Sequence, residues 1–313
     1  WAKDFTFLNG GIDAFEQGLF FAQSENLIAN FVEAAPLFGK PQRIYKASDG
    51  RAEGELLPDI LSAIDNGTSV MAFAGHAGSQ TWELMMVNED IPKLRNRGRL
   101  PFIASMTCHT ARFAEPSQNS FGEEFLRLPE RGAVAFWGTS GWGFVFQDGI
   151  LLEGLFRAMV HDTVRSLGVA TTLAKIGLWQ QQGGSQSNIN LIDQYTLLGD
   201  PALSLHLPDK PDLALSSGDL TSVPAFPSEQ DSLVRIEIAV RNRGLANIDS
   251  TEVVLTARHS ESGASALEGR ARIGTVGYAS EVDFLWPGHN RRGDYALEAH
   301  VDADDAIREV DEH

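Results

Sequence analysis

Short apolar runs alternate with longer amphipathic stretches through the first 207 residues of the chain. The apolar runs have the length of buried strands and predict strands over residues 5–8, 43–46, 69–74, 102–107 and 133–137. The stretches between them have the length and period of helices, which we expect over residues 20–35, 56–66, 120–128 and 148–166. This alternation is typical of a mostly parallel sheet with helices on both faces. The sequence therefore predicts an α/β domain over residues 1–207.

The pattern changes at residue 208, where Pro208 and Pro211 rule out a continuing helix and favour an extended linker. Beyond the linker, residues 233–241 alternate apolar and polar side chains, which predicts a half-buried antiparallel strand. Further strands separated by Gly, Asn and Ser turns are predicted over 252–258, 271–276, 281–285 and 295–301. This spacing is typical of an all-β, immunoglobulin-like sandwich, so we expect a second domain over residues 208–313.

The composition fits a soluble globular protein and argues against two classes of partner. The chain is 43% apolar and 21% charged, and its net charge is −17, which disfavours nucleic acid and anionic membrane surfaces. No apolar run approaches the roughly 18 residues that a membrane span requires. The chain opens at Trp1 without an initiator Met, so we expect it to be a piece of a longer protein.

The single cysteine and one histidine each follow an apolar run, Cys108 after residues 101–107 and His76 after Phe73-Ala74-Gly75. Because ligands and catalytic groups gather at the carboxyl ends of parallel strands, we expect both side chains there. A thiol and an imidazole at neighbouring strand ends provide a nucleophile and its base. The alternative is that Cys108 is a small buried filler, the usual role of a free cysteine. His109 is expected to point to the opposite side of the strand.

Seven motifs follow one another in order within residues 4–207. They are Leu8-Asn9-Gly10-Gly11, Glu25-Asn26-Leu27-Ile28-Ala29-Asn30, Gly75-His76-Ala77-Gly78 with Trp82, Leu100-Pro101-Phe102-Ile103 before Cys108, Ser120-Phe121-Gly122-Glu123, residues 132–140, and Leu198-Gly199-Asp200-Pro201-Ala202-Leu203. Each motif alone is weak, but their order and spacing together are specific. On these motifs the first domain resembles the gingipain-type cysteine peptidases, which share the caspase-like α/β fold.

The resemblance implies a mechanism in which Cys108 attacks the scissile carbonyl as a thiolate. His76 would donate a proton to the leaving amine and later activate the hydrolytic water. The backbone N–H groups of Cys108 and Ala77 would stabilise the oxyanion. Relatives usually carry glycine where Ala77 stands, which matters if that position requires a positive φ. The resemblance implies no cofactor and no catalytic metal.

Four further residues are candidates on the same resemblance. Arginine-specific members have a glutamate where Asn9 stands, and the Asn9 amide is able to accept the imidazole N–H; alternatively Asn9 only serves the turn at Gly10-Gly11. Phe21 stands where those members carry the aspartate that binds guanidinium, so Arg or Lys specificity is not supported. Trp142 and Met106 are candidates for the walls of the substrate pocket. Core packing is the alternative for Phe21, and turn packing for Trp142.

The second domain resembles the bacterial cell-adhesion-related β-sandwich modules, on Pro211-Asp212-Leu213, Asn242-Arg243-Gly244 and the acidic residues 301–309. This implies a secreted or cell-surface protein that is attached through the module. The acidic residues offer carboxylates for a structural Ca²⁺, and a hydrated run of charges is the alternative. The predicted function is a cysteine endopeptidase acting on protein or peptide substrates. The alternative is a catalytically silent peptidase fold that serves in binding or adhesion.

Overall fold

The computed structural model describes residues 2–46, 53–228, 230–247, 249–287 and 293–309. The chain divides into two compact units, one comprising Trp1–Ala34 with Gly39–Leu207 and the other Ala35–Phe38 with Pro208–His313. Each unit has a hydrophobic core of its own. Within the described residues, none of the helices combines the length and the hydrophobicity that crossing a membrane requires.

The first unit is built on a six-stranded sheet. The strands of this unit, in both its sheets, are β1 (Asp4–Asn9), β2 (Lys40–Tyr45), β3 (Val70–Ala74), β4 (Ala77–Gly78), β5 (Thr81–Trp82), β6 (Met86–Val87), β7 (Phe102–Met106), β8 (Ala135–Thr139) and β9 (Tyr195–Leu198). The large sheet has the order β2-β1-β3-β7-β8-β9, with β9 antiparallel to β8 and the other neighbours parallel. The short strands β4, β5 and β6 form a separate antiparallel sheet directly after β3.

Helices cover both faces of the large sheet, as the alternating pattern predicts. They are α1 (Ala14–Leu27), α2 (Leu57–Asn66), α3 (Phe121–Arg127), α4 (Val145–Phe156), α5 (Leu167–Gln182) and α6 (Gln186–Gln194). On one face, Phe5 and Phe7 of β1 pack against Phe156 of α4. On the other, Leu8 belongs to the core formed with α2 and α3. Successive residues of β1 therefore serve opposite layers.

The second unit consists of antiparallel strands around one shared core. They are β10 (Leu213–Ala214), β11 (Leu220–Val223), β12 (Val234–Asn242), β13 (Thr251–His259), β14 (Ser265–Ile273), β15 (Ala279–Trp286) and β16 (Tyr295–Val301). One sheet has the order β10-β12-β11 with β15 paired to β12, and the other has the order β14-β13-β16. Apolar residues of both sheets meet in a single cluster. The predicted α/β domain followed by a β-strand-rich module is confirmed.

The acidic end of the second unit forms a turn. The Asp302 carboxylate accepts the backbone N–H groups of Ala306 and Ile307 and the hydroxyl of Thr251. Asp302 itself adopts φ +50°. Among the residues that the structure describes, no three His, Cys, Asp or Glu side chains are arranged to hold a metal ion. A structural Ca²⁺ at this end stays a prediction.

Candidate functional site

The register of the sheet brings His76 and Cys108 to equivalent positions. Strands β3 and β7 are parallel neighbours, and Ala74 pairs with Met106, an offset of 32 residues. His76 and Cys108 are separated by the same 32 residues, so each lies two residues beyond that last pair. Neighbouring strands are about 4.8 Å apart. Both side chains line one cavity at this edge of the sheet.

The loop that carries Cys108 is held by hydrogen bonds to the neighbouring strand ends. Thr107 Oγ1 donates to the carbonyl of Gly75 at 2.7 Å, which joins this loop to the one that carries His76. Thr139 Oγ1 donates to the carbonyl of Thr107 at 2.8 Å. His109 has a φ of +60°, and its ring packs edge-on against Trp142 at 4.7 Å between centroids. Thr107 and His109, on either side of Cys108, thus make different contacts.

The Cys108 sulfur receives a hydrogen bond from the segment that leads into α4. The Gly143 N–H lies 3.3 Å from Cys108 Sγ. Burial raises the pKa of the Cys108 thiol, the Gly143 N–H lowers it, and the negative charge of Asp148 raises it again. In this environment the thiol form predominates at neutral pH, so a base is needed to generate the nucleophile.

The His76 imidazole is paired with a carboxylate on the first turn of α1. His76 Nε2 lies 2.9 Å from Glu16 Oε2, and the His76 side chain is 46% exposed. The Ile12 N–H also binds Glu16 Oε2, at 3.0 Å. The Ile12 N–H is the main cause of the lowered pKa of Glu16, and the hydrogen bond with His76 lowers it further. With Nε2 donating to Glu16, Nδ1 is the ring nitrogen that remains to accept a proton.

The cavity that His76 and Cys108 line has a volume of about 260 Å³ and lies between α1 and α4. Its apolar wall includes Phe20 and Met106. Asp148 of α4 also lines it, with a buried side chain whose Oδ1 has no hydrogen-bond partner among the described residues. Burial raises the pKa of Asp148 to about 7, although hydrogen bonds with the Tyr195 side chain and with the backbone of Phe144 oppose the rise.

Asn9, predicted to orient the histidine, makes a different contact. It is buried at the end of β1, where its Oδ1 accepts the Ser24 hydroxyl at 2.8 Å. Its Nδ2 is buried and has no hydrogen-bond partner in the part of the chain that the structure describes. The carboxylate of Glu16, and not the amide of Asn9, is the group hydrogen-bonded to the His76 ring.

Ala77 occupies extended backbone in β4, a conformation that any residue adopts, so the position does not require glycine. Ala77 pairs with Trp82 across β4 and β5, and the Glu83 N–H donates to the His76 carbonyl at 3.1 Å. Hydrogen-bonded and non-hydrogen-bonded pairs alternate along antiparallel strands. The Ala77 N–H therefore points away from β5, which leaves it directed outward from the small sheet.

The three predicted substrate-binding residues have different environments. Met106 is buried and lines the cavity. Phe21 is half-exposed and packs edge-on against Tyr45 at 5.7 Å, while its neighbour Phe20 lines the cavity. Trp142 is exposed and contacts the ring of His109. Of the three, the structure brings Met106 together with Cys108 and His76.

Comparison with known families decides what this arrangement is related to. The model of Peptidase family C25 matches residues 1–206. The chain belongs to peptidase family C25. A second family model, CARDB, matches residues 210–313. The predicted relationship to gingipain-type peptidases and to a cell-adhesion-related module is confirmed. A comparison with curated proteins finds no match.

Solved structures share the fold of this family C25 chain at low sequence identity. The Arg-specific cysteine proteinase gingipain R (RgpB) is 16% identical with a TM-score of 0.55, covering 89% of this chain and 66% of its own. The complex of RgpB pro- and mature domains from Porphyromonas gingivalis is also 16% identical, with a TM-score of 0.55 over 90% of this chain and 68% of its own. A structure described as a protease is 13% identical with a TM-score of 0.57, covering 95% and 66%. The chain thus spans about two thirds of the length of these relatives.

Glu16, Asp148 and Gly143 were not singled out from the sequence of this family C25 member. For Glu16 a local signal exists: Asp13 caps α1 by accepting the Glu16 N–H, and Asp-x-x-Glu is typical of a helix start. That signal accounts for Glu16 without any role toward His76. Asp148 follows Val145-Phe146-Gln147 in a largely apolar helix whose other carboxyl, Glu153, pairs with Arg157. A buried carboxyl in such a helix is unusual.

Replacing Asp148 with Asn is expected to lower the pKa of the Cys108 thiol. Asp148 has a pKa of about 7 and is therefore ionised over the range in which a thiol titrates, where its charge disfavours the thiolate. The rate of iodoacetamide alkylation, measured against pH in the folded protein, is expected to rise at lower pH in D148N. Because Cys108 is the only cysteine, alkylation reports on it alone. Asp90→Asn is the control, and an unmoved D148N profile would contradict the assignment.

Proposed function

We propose that the chain is a cysteine endopeptidase, with Cys108 as the nucleophile and His76 as the general acid and base. One observation carries the proposal: the two residues follow adjacent parallel strands in equivalent register and line one cavity. Membership of family C25 supports the same chemistry.

The proposed reaction begins when His76 Nδ1 takes the proton of the Cys108 thiol. The thiolate attacks the carbonyl carbon of the scissile peptide, and the negative oxygen accepts the backbone N–H groups of Cys108 and Ala77. His76 then gives its proton to the leaving amine, which breaks the C–N bond and leaves a thioester. Water, deprotonated by His76, attacks the thioester and releases the acid and the free thiol. Glu16 stabilises the imidazolium that forms in each half of the reaction.

Exposed apolar side chains near both reactive residues support a peptide as the substrate. Ile12 lies in the turn before α1 and Phe15 in the first turn of that helix, both close in sequence to Glu16. Phe144 and Phe146 flank the first residue of α4, just after Gly143. Phe146 also lines the cavity. Large exposed apolar groups of this kind mark binding surfaces, and extended peptides offer side chains to fill them.

In the proposed function, Phe21 does not select substrates with cationic side chains. An aromatic ring packed against Tyr45 offers no carboxylate to a guanidinium or ammonium group. Two acidic residues line the cavity, the buried Asp148 and Glu153, which pairs with Arg157. Profiling a peptide library with the purified wild-type chain and with D148N identifies the preferred residue before the scissile bond.

An extracellular or cell-surface location is proposed with this function. Membership of family C25 and the match of residues 210–313 to CARDB support it. Attachment to a surface through the second unit is part of the same proposal. Fractionation of cells that express the full protein tests the location.

A peptidyl acyloxymethyl ketone tests the proposed chemistry, because it alkylates a thiol that a neighbouring imidazole activates within a substrate-binding cavity. We expect the folded wild-type chain to be labelled at Cys108, and labelling to be lost in denaturant and in H76A. Labelling that is no faster in the folded chain than in denaturant would indicate a silent peptidase fold that serves in binding. Intact-protein mass spectrometry measures the labelled fraction.

A further inference from the structure

We propose that Glu83 is a positioning residue for His76: its carboxylate fixes the backbone of the loop that carries the imidazole against the turn that leads to Glu16. This role rests on the proposed function, since Glu83 acts through His76 and does not touch the reacting atoms. Nothing in the sequence pattern marks Glu83, which follows Trp82 in the short antiparallel sheet.

One oxygen of Glu83 binds two backbone N–H groups from segments that are far apart in sequence. Glu83 Oε1 accepts the Gly11 N–H at 2.6 Å and the His76 N–H at 3.0 Å. The other oxygen, Oε2, pairs with Lys46 Nζ at 3.2 Å. The Glu83 side chain is only 6% exposed. Hydrogen bonds to a charged, desolvated acceptor are stronger than neutral ones, so this carboxylate links the two segments firmly.

The surrounding backbone is shaped around this carboxylate. A Cβ added at Gly10 would overlap Glu83 Oε1, and one added at Gly75 would lie 3.0 Å from the same atom. Both glycines thus let the main chain approach the acid closely. Glu83 itself has a φ of +47°, a left-handed conformation that is unfavourable for a non-glycine residue. The unfavourable backbone and the two glycines are explained together if the carboxylate must occupy this place.

Glu83 and Glu16 together bind the backbone and the ring of His76. Glu83 binds the N–H of Gly11, and Glu16 binds the next N–H, that of Ile12. Glu83 also binds the His76 backbone, while Glu16 binds the His76 ring. These hydrogen bonds connect the His76 backbone to Glu83, Glu83 to the turn at Gly11 and Ile12, and this turn through Glu16 to the imidazole. Removing Glu83 releases the turn and the loop at once, so the Glu16–His76 geometry is no longer fixed.

The test compares Glu83→Ala with Glu83→Gln. The amide of Gln retains an oxygen for the two N–H groups, whereas Ala removes the acceptor. We expect E83A to lower kcat on a peptide substrate by about 10- to 100-fold with KM within about twofold, since a misplacement of about 1 Å costs up to this much. E83Q is expected to keep kcat within about threefold of the wild type. If E83A does not fold, E83D provides the loss variant, because its shorter side chain keeps the charge but cannot reach both N–H groups.

Asp90→Ala is the matched control. Asp90 is likewise mostly buried, accepts the Val87 N–H at 2.9 Å and pairs with Lys93 at 2.6 Å, outside the residues that line the cavity. A loss of kcat in D90A equal to that in E83A would show a general effect of buried acids and overturn the proposal. Equal losses in E83Q and E83A would also overturn it, because they would trace the effect to the charge. So would an unchanged kcat in folded E83A.

A second measurement does not depend on peptidase activity. The imidazole Nε2–H resonance of His76, hydrogen-bonded to Glu16, is expected to be observed by NMR in the wild type and E83Q and lost by exchange in E83A. If the wild type cleaves nothing and resists the ketone label, the proposed function fails while this resonance still decides the role of Glu83. Retention of the resonance in E83A would overturn the positioning role.

Discussion

Cys108→Ala is expected to abolish cleavage of a protein substrate while leaving the fold intact. Cys108 is the only thiol in the chain, so no other side chain is able to form the thioester. Loss of a nucleophile that works with a base lowers kcat by about 10⁴-fold or more. The side chain is only partly buried, and its truncation leaves the strand-end hydrogen bonds of Thr107 and Thr139 in place. Cleavage of a fluorogenic protein and the thermal midpoint of unfolding provide the two measurements.

Cys108→Ser is the control for the shape of the site. A hydroxyl fits where the thiol was, but it is a much weaker nucleophile at neutral pH, so C108S is expected to be nearly as inactive as C108A. Turnover by C108A equal to that of the wild type would show that another group cleaves the substrate. The proposed mechanism would then be wrong.

His76→Ala is expected to reduce kcat about as much as Cys108→Ala. In the proposed mechanism the imidazole accepts the thiol proton and delivers it to the leaving amine, so neither half of the reaction is expected to proceed without it. Because nucleophile and base act as a unit, the double variant C108A/H76A should be no less active than either single variant. Initial rates of all three, measured at one protein concentration, check this non-additivity.

His109→Ala is the matched control for His76→Ala, since it removes an imidazole one residue from the nucleophile. Its ring packs against Trp142, and burial lowers its pKa. We expect H109A to retain activity within a few-fold of the wild type, because among the described residues Glu16 is hydrogen-bonded to the His76 ring and Cys108 Sγ to Gly143, and neither to the His109 ring. A loss in H109A that matches the loss in H76A would indicate that the base has been assigned to the wrong histidine.

The candidate pair was predictable from the sequence because strand ends follow from apolar runs. The runs ending at Ala74 and Met106 are fully buried strands, and parallel pairing carries whatever follows them to one edge of the sheet. Once Ala74 is known to pair with Met106, the sequence shows that His76 and Cys108 each lie two residues beyond this pair. Helices α5 and α6 were not predicted. In α5, exposed Val169 and Trp179 accompany a buried apolar face, so its period is obscured.

The partners of the pair were harder to predict because they depend on how separate loops approach each other. The register offset says nothing about which side chain at the end of β1 reaches the imidazole. Asn9 lies in the strand and turns toward Ser24, whereas Glu16, seven residues later, reaches the ring from the first turn of α1. Glu83 depends on a left-handed residue and two close glycine contacts, and local sequence rules do not specify such an arrangement.

The pairing of Glu16 with His76 spans 60 residues of sequence, and His76 is a further 32 residues from Cys108. Contacts of this separation form late, because the entropy of closing the intervening loops must be overcome first. The three groups meet only when β1, β3 and β7 have paired in one sheet. Under the proposed mechanism, a chain that has not yet folded therefore carries the thiol without its base, and it is expected not to cleave itself or its neighbours.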